Sequence, residues 1–193
     1  AVGFSLLVPH LFGDAIDIHG DTVVVGAFQD DDAGAGSGSA YVFQRTGTSW
    51  SQQAKLTPTD HAAGDNFGDA VATIGDAIVV GSPRDDDNGG DSGSAYVATR
   101  NGTWSQQQKL TAGDGQLGDR LGNAVAMDSG LIAAGAFFDD DQGVSSGSAY
   151  IFAGVTPTPV PGVTGWGLML MGLLFLIILA WRISRRRQAT TQV

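Results

Sequence analysis

Apolar residues between positions 12 and 153 come in short runs, with no stripe of helical period. Residues 15–18 (AIDI) alternate, and residues 22–28 (TVVVGAF) form a continuous β-branched run of the kind a fully buried strand carries. A glycine- and aspartate-rich stretch follows. Residues 39–45 (SAYVFQR) then alternate again, and a Thr-Gly or Asn-Gly turn leads into WSQQAKL from Trp50 and WSQQQKL from Trp104. The unit recurs: FGDA from Phe12 and from Phe67 and LGNA from Leu121 are offset by 55 and 54 residues. A period of this size marks a solenoid, propeller or array in which each repeat is one supersecondary unit. The pattern predicts about four strands per repeat, the content of one β-propeller blade, with the third repeat stopping after its third strand at Phe152.

Composition sharpens this picture. The chain has 29 glycines, no cysteine and 20 acidic residues, every one of them aspartate. Glutamate suits helix interiors, whereas aspartate competes for backbone hydrogen bonds and favours turns, so the bias argues for short strands joined by Asp/Gly turns. Six basic residues against twenty acidic ones precede Trp181, a balance that repels phosphate and excludes nucleic acid as a partner. His10, His19 and His61 do not recur at equivalent positions, and no nucleophile elbow, phosphate loop or dinucleotide fingerprint is present. Trp50 and Trp104, at matching positions, read as blade-packing residues rather than sugar platforms.

The candidate chemistry lies in a loop that occurs three times: DDDAGAGSGSAY from Asp30, DDDNGGDSGSAY from Asp85 and DDDQGVSSGSAY from Asp139. Calcium takes six to eight oxygen ligands around a flexible loop. Asp30 and Asp32, with Ser37, Ser39 and loop carbonyls, supply some of them, as do Asp85 with Asp87 and Asp139 with Asp141. The other reading is an Asx-rich turn whose aspartates accept backbone N–H bonds and face water. Three near-identical copies speak against a catalytic pair, which needs two carboxyls in different environments.

FGDAIDIHGDTVVVGAF, FGDAVATIGDAIVVGSP and LGNAVAMDSGLIAAGAF resemble FG-GAP repeats, the blades of integrin-α-type β-propellers. Phe12-Gly13, Phe67-Gly68 and Leu121-Gly122 stand for the FG pair; Gly26-Ala27-Phe28, Gly81-Ser82-Pro83 and Gly135-Ala136-Phe137 stand for the GAP triplet. The resemblance implies an all-β fold of propeller blades, with repeats at 12–66, 67–120 and 121–154 after a strand remnant or linker at 1–11. It also implies a non-catalytic recognition platform for a protein or glycan ligand. One departure matters: calcium-binding members carry their acidic loop between FG and GAP, whereas here the carboxylates follow GAP.

The C-terminal fifth differs in kind. Residues 155–162 (VTPTPVPG) form an extended Pro/Thr linker, and residues 163–181 carry no charge, close to the length that spans a bilayer. Arginines 182, 185, 186 and 187 follow at once. They predict a transmembrane helix with residues 182–193 as a cytoplasmic tail and the repeats outside. The order of Val160-Pro161, Trp166-Gly167, the apolar span and Arg185, Arg186 and Arg187 is similar to PEP-CTERM/IPTL-CTERM sorting signals. That resemblance implies processing by an exosortase-like membrane enzyme and display at the cell surface. Residues 1–9 lack the basic region of a secretory signal, and three repeats are fewer than a usual propeller has, so further blades are expected upstream. The expectation is a cell-surface binding or adhesion protein. The alternatives are a propeller appendage of an upstream enzyme domain and a structural envelope component.

Overall fold

The computed structural model describes residues 11–153. The linker, the apolar span, the basic tail and the sorting motif (Val160, Pro161, Trp166, Gly167, Arg185, Arg186, Arg187) lie outside the described residues, as does the transmembrane helix expected at 163–181. Among the described residues no helix is long and apolar enough to cross a membrane.

Among the described residues eleven strands form three antiparallel sheets in simple up-and-down order. Sheet I contains β1 (Ile16–His19), β2 (Thr22–Ala27), β3 (Ser39–Thr46) and β4 (Ser49–Leu56). Sheet II contains β5 (Val71–Ile74), β6 (Ala77–Ser82), β7 (Ser94–Asn101) and β8 (Thr103–Leu110). Sheet III contains β9 (Leu121–Asp128), β10 (Leu131–Ala136) and β11 (Ser148–Ala153), so β11 is its edge among the described residues. The strands expected from the runs are present within a residue or two, and three strands of the third repeat lie among the described residues. Tight hairpins join the first two strands of each sheet; His19 pairs with Thr22 across Gly20, which has φ +59°. The β7–β8 turn closes Asn101 on Thr103 around Gly102 at φ +80°, the left-handed conformation that an Asn-Gly turn supplies cheaply.

The middle strands β2 and β6 are buried along their whole length, which accounts for their unbroken β-branched character. Between sheets I and II, Val24, Ala40 and Val42 meet Phe67, Ile78, Val80 and Tyr96. Between sheets II and III, Val79, Ala95 and Val97 meet Leu121, Ile132, Ala134 and Ala136. Each FG aromatic packs edge-on against the tyrosine of its own sheet: Phe12 on Tyr41 and Phe67 on Tyr96, both with ring centroids 5.5 Å apart.

The glycines of FG and GAP have a shared reason. A β-carbon on Gly26 would overlap the carbonyl of Gly68, and one on Gly68 would overlap the carbonyl of Ser39. The next boundary repeats this, with Gly81 against the carbonyl of Gly122 and Gly122 against that of Ser94. Backbone therefore lies directly on backbone at each sheet boundary. The approach is fixed by a short parallel ladder in which Asn66 N donates to Gly36 O (3.0 Å) and Phe67 N to Ser37 O (3.1 Å). Arg120 N and Leu121 N donate likewise to Asp91 O (3.1 Å) and Ser92 O (3.0 Å).

Gly81→Ala forces these backbones apart with no flexible side chain to yield. A loss of about 3 kcal/mol is expected, the upper end for overpacking a tight contact, read as a lower midpoint in urea denaturation. An unchanged midpoint would show that the boundary is not a close contact.

Candidate functional site

Each aspartate loop joins the second and third strands of its sheet, so all three loops stand at the same end of their respective sheets. The first aspartate is buried in every copy: Asp30, Asp85 and Asp139 are 1%, 3% and 1% exposed. Its carboxylate accepts from the tyrosine eleven positions on, with Tyr41, Tyr96 and Tyr150 hydroxyls at 2.8, 2.5 and 2.7 Å. It also accepts from the backbone N–H two residues ahead, that of Asp32, Asp87 or Asp141, at 3.1, 3.2 and 3.1 Å. Its carbonyl closes the loop by accepting from Gly38, Gly93 or Gly147 N and from the hydroxyl of Ser37, Ser92 or Ser146.

The middle aspartate faces water and braces the loop from outside: Asp31 Oδ1 accepts from Gly36 N at 2.7 Å, and Asp86 Oδ1 from Asp91 N at 2.8 Å. The third is exposed in every copy. Of the two sequence readings, the Asx turn describes the backbone bonding. It fails for the first aspartate of each triplet, which is enclosed by its tyrosine and its own loop and does not face water.

A cation already sits in two of the three loops. Lys55 Nζ lies 3.0 Å from Asp30 and also pairs with Asp32. Lys109 Nζ lies 2.9 Å from Asp85, 2.5 Å from Asp87 and 2.7 Å from Asp60. Each ammonium also stands over its sheet's tyrosine ring, 5.3 Å from the Tyr41 centroid and 5.1 Å from that of Tyr96. The lysines reach the loops because β4 and β8 run beside β3 and β7, with Lys55 opposite Tyr41 and Lys109 opposite Tyr96. The structure thus brings Asp30 together with Asp32, and Asp85 with Asp87. It adds Lys55, Lys109 and Asp60, which the sequence reading passed over. A signal was present: the chain's two lysines occupy the same position in two repeats.

Oxygens of Asp60, Asp85 and Asp87 lie within 4.8 Å of one another, a grouping able to hold a metal ion. The Lys109 ammonium bonds to the same three carboxylates, so a metal and this lysine compete for one set of oxygens. In the third loop, among the described residues, no lysine reaches Asp139 and Asp141. Asp141 instead accepts from Gln116 Nε2 at 3.0 Å, and Asp114 faces the Tyr150 hydroxyl as Asp60 faces that of Tyr96.

The electrostatics follow the geometry. Burial pushes the Asp30 carboxyl up, but hydrogen bonds from Lys55, Tyr41 and the Asp32 amide outweigh it and hold it below the usual carboxylate value. Asp60 is lowered in the same way, burial being overcome by Lys109. Burial lowers both lysines, and their aspartate partners more than restore them, so both end raised. The Tyr150 hydrogen bond lowers Asp139, and the neighbouring charge of Asp139 raises Asp141. Burial together with the aspartate partner raises Tyr96 and Tyr150.

A family model for the FG-GAP repeat matches residues 10–43, 50–98 and 104–152, most of the chain. The chain belongs to the FG-GAP repeat family. No curated protein matches it. The matched units are out of phase with the sheets: 50–98 takes in β4 with β5, β6 and β7, and 104–152 takes in β8 with β9, β10 and β11. Each of these FG-GAP repeats therefore gives its first strand to the preceding sheet, and with it the lysine that enters the preceding repeat's aspartate loop.

Asp85→Ala removes the enclosed carboxylate shared by Lys109 and Tyr96, leaving the Tyr96 hydroxyl on Asp60 and the Lys109 ammonium on the more exposed Asp60 and Asp87. It is expected to cost about 3 kcal/mol, as breaking an enclosed ion pair does. Asp32→Ala, at an exposed position, is expected to cost under about 1 kcal/mol; equal losses in denaturation would overturn this division of labour. The pH dependence has a definite sign. Asp30 and Asp60 are lowered on folding, so their contribution is present above about pH 4 and fades as pH falls through their folded values. The lysines are raised, so theirs is complete below about pH 10 and fades as pH rises beyond it. Melting temperature recorded against pH checks both limbs, and a stability that peaks below pH 4 would contradict them.

Proposed function

We propose that the chain is a non-catalytic binding or adhesion module that presents FG-GAP blades outside the cytoplasm. The observation that carries this reading is the succession of three family repeats, each holding an acidic loop at the same end of its sheet. Rigid strands beneath exposed loops are the usual way a scaffold offers a recognition surface. The middle aspartates Asp31, Asp86 and Asp140 are exposed, and they are the groups this reading assigns to a protein or glycan ligand. The apolar span at 163–181 with its arginine-rich tail supports membrane attachment, and the Val160-Pro161, Trp166-Gly167 order supports sorting to the cell surface by an exosortase-like enzyme.

In a flow chamber, cells carrying the full chain are expected to be retained on their ligand surface. Replacing Asp31, Asp86 and Asp140 together by alanine is expected to reduce retention severalfold; undiminished retention would remove these loops from the binding face. Release of the protein into the medium on truncation after Gly162 checks the anchoring.

Calcium is a second reading, favoured by the grouping of Asp60, Asp85 and Asp87. With Lys109 as the resident cation, chelation is expected to leave the melting temperature unchanged. A lowered melting temperature in chelator, restored by calcium, would assign the loops to the metal instead.

A further inference from the structure

Asn101, Gly102 and Thr103 form the one Asn-X-Ser/Thr triplet of the sequence; Asn66, Asn88 and Asn123 are followed two positions on by Gly68, Gly90 and Val125. Enzymes that attach glycans to asparagine recognise this pattern in surface loops of secreted proteins. The structure sets the triplet at the tip of the β7–β8 hairpin, where Asn101 ends one strand, Thr103 opens the next and the two are paired. Residues opposite each other in an antiparallel pair point to the same face, so the carboxamide and the hydroxyl are presented together. All three residues are exposed, and a β-carbon on Gly102 would meet nothing within 4 Å.

Neither the Asn101 nor the Thr103 side chain has a hydrogen-bond partner among the described residues. Two of the other asparagines are not free in this way: Asn88 Nδ2 donates to Ala112 O at 3.3 Å, and Asn66 is buried. The turn by itself does not account for the triplet. The β3–β4 hairpin closes Thr46 on Ser49 over Gly47, at φ +62°, and Thr48, with no asparagine. The tip requires a glycine in the left-handed region, which leaves Asn101 and Thr103 unexplained by the fold.

Placement suits a bulky attached group. β7 runs from the aspartate loop at Ser94 to Asn101, so the triplet stands at the opposite end of sheet II, about 25 Å from that loop at the rise of an extended strand. Beneath the tip, Arg100 fixes the hairpin: Nε donates to Asp76 at 2.8 Å, Nη1 to Gln44 of sheet I at 2.7 Å, and the guanidinium lies over the Trp104 ring. A group on Asn101 Nδ2 extends into water, displaces no packed side chain and leaves the acidic loops uncovered.

We propose that Asn101 is a glycan attachment site whose donor is an oligosaccharide carried on a lipid diphosphate. This rests on the reading that the blades lie outside the cytoplasm, the side on which secreted proteins carry such glycans. Asn101 Nδ2 attacks C1 of the first sugar and an N–C1 bond forms. The bond from C1 to the diphosphate oxygen breaks, the lipid diphosphate leaves with its electron pair, and one amide proton passes to a base of the transferase. Thr103 supplies the hydroxyl that the transferase reads.

The test incubates the full folded chain, in mild detergent, with a transferase that reads Asn-X-Thr and a lipid-linked oligosaccharide of defined mass. A short Asn-X-Thr peptide in the same reaction shows that the enzyme is active. The intact mass is expected to rise by one oligosaccharide. Asn101→Gln is expected to abolish the increase and Thr103→Val to reduce it to a trace, both with unchanged melting temperature. No increase while the peptide is modified would overturn the proposal, as would an increase that survives Asn101→Gln. In cells, protease added from outside separates this site from the reading it rests on. A chain that the protease cleaves but whose Asn101 is bare would overturn the glycan site alone. A chain that the protease cannot reach and whose Asn101 is bare would overturn both.

Discussion

At each sheet boundary two backbones pass so closely that neither has space for a β-carbon, and most of the architecture follows from that contact. It requires glycine at Gly26, Gly68, Gly81 and Gly122. Because the sheets meet over glycine, small and β-branched residues such as Val24, Ala40, Val79 and Ala95 are enough to fill the remaining gap. The contact also holds the aspartate loop of one repeat against the FG turn of the next, since the carbonyls of Gly36 and Ser37 are the acceptors for Asn66 and Phe67. Spacing, core composition and loop position are thus consequences of one steric condition.

The aspartate triplet shows how like charges are made tolerable when placed side by side. In the first two loops the three carboxylates are sent to three environments: one enclosed beneath a tyrosine, one bracing its loop from the solvent side, one paired with a lysine. Partition of this kind makes the first aspartate a structural acceptor and leaves the second as the group that meets the outside. The cation that completes the arrangement arrives on a strand of the following repeat, so loop chemistry and repeat packing are coupled.

Much of the fold was legible because its strands are short, β-branched and bounded by Gly/Asp turns; TVVVGAF and AIVVGS both became fully buried middle strands. The recurrence of Asp…Tyr at a spacing of eleven marked the site, yet its meaning was only half visible. That Asp30 is enclosed depends on Tyr41 folding back over it, and that its counter-ion is Lys55 depends on the β3–β4 register, in which a bulge after Val42 sets Lys55 opposite Tyr41. Neither relation has a local sequence signature. Asp60 was missed for a similar reason: it lies in the linking stretch after β4, far in sequence from Asp85, and joins it only because sheet II folds against sheet I.

The one-strand offset between repeat and sheet has a mechanical consequence. Sheets joined by simple tethers would let tension along the chain reach the tether first and separate the sheets one by one. Here the connection from sheet I to sheet II begins inside sheet I, as β4 laddered along β3, and that from sheet II to sheet III begins as β8 laddered along β7. A pull along the chain must detach a strand from its sheet before it can draw one sheet away from the next. The lysine clasp between that strand and the aspartate loop lies across the same path.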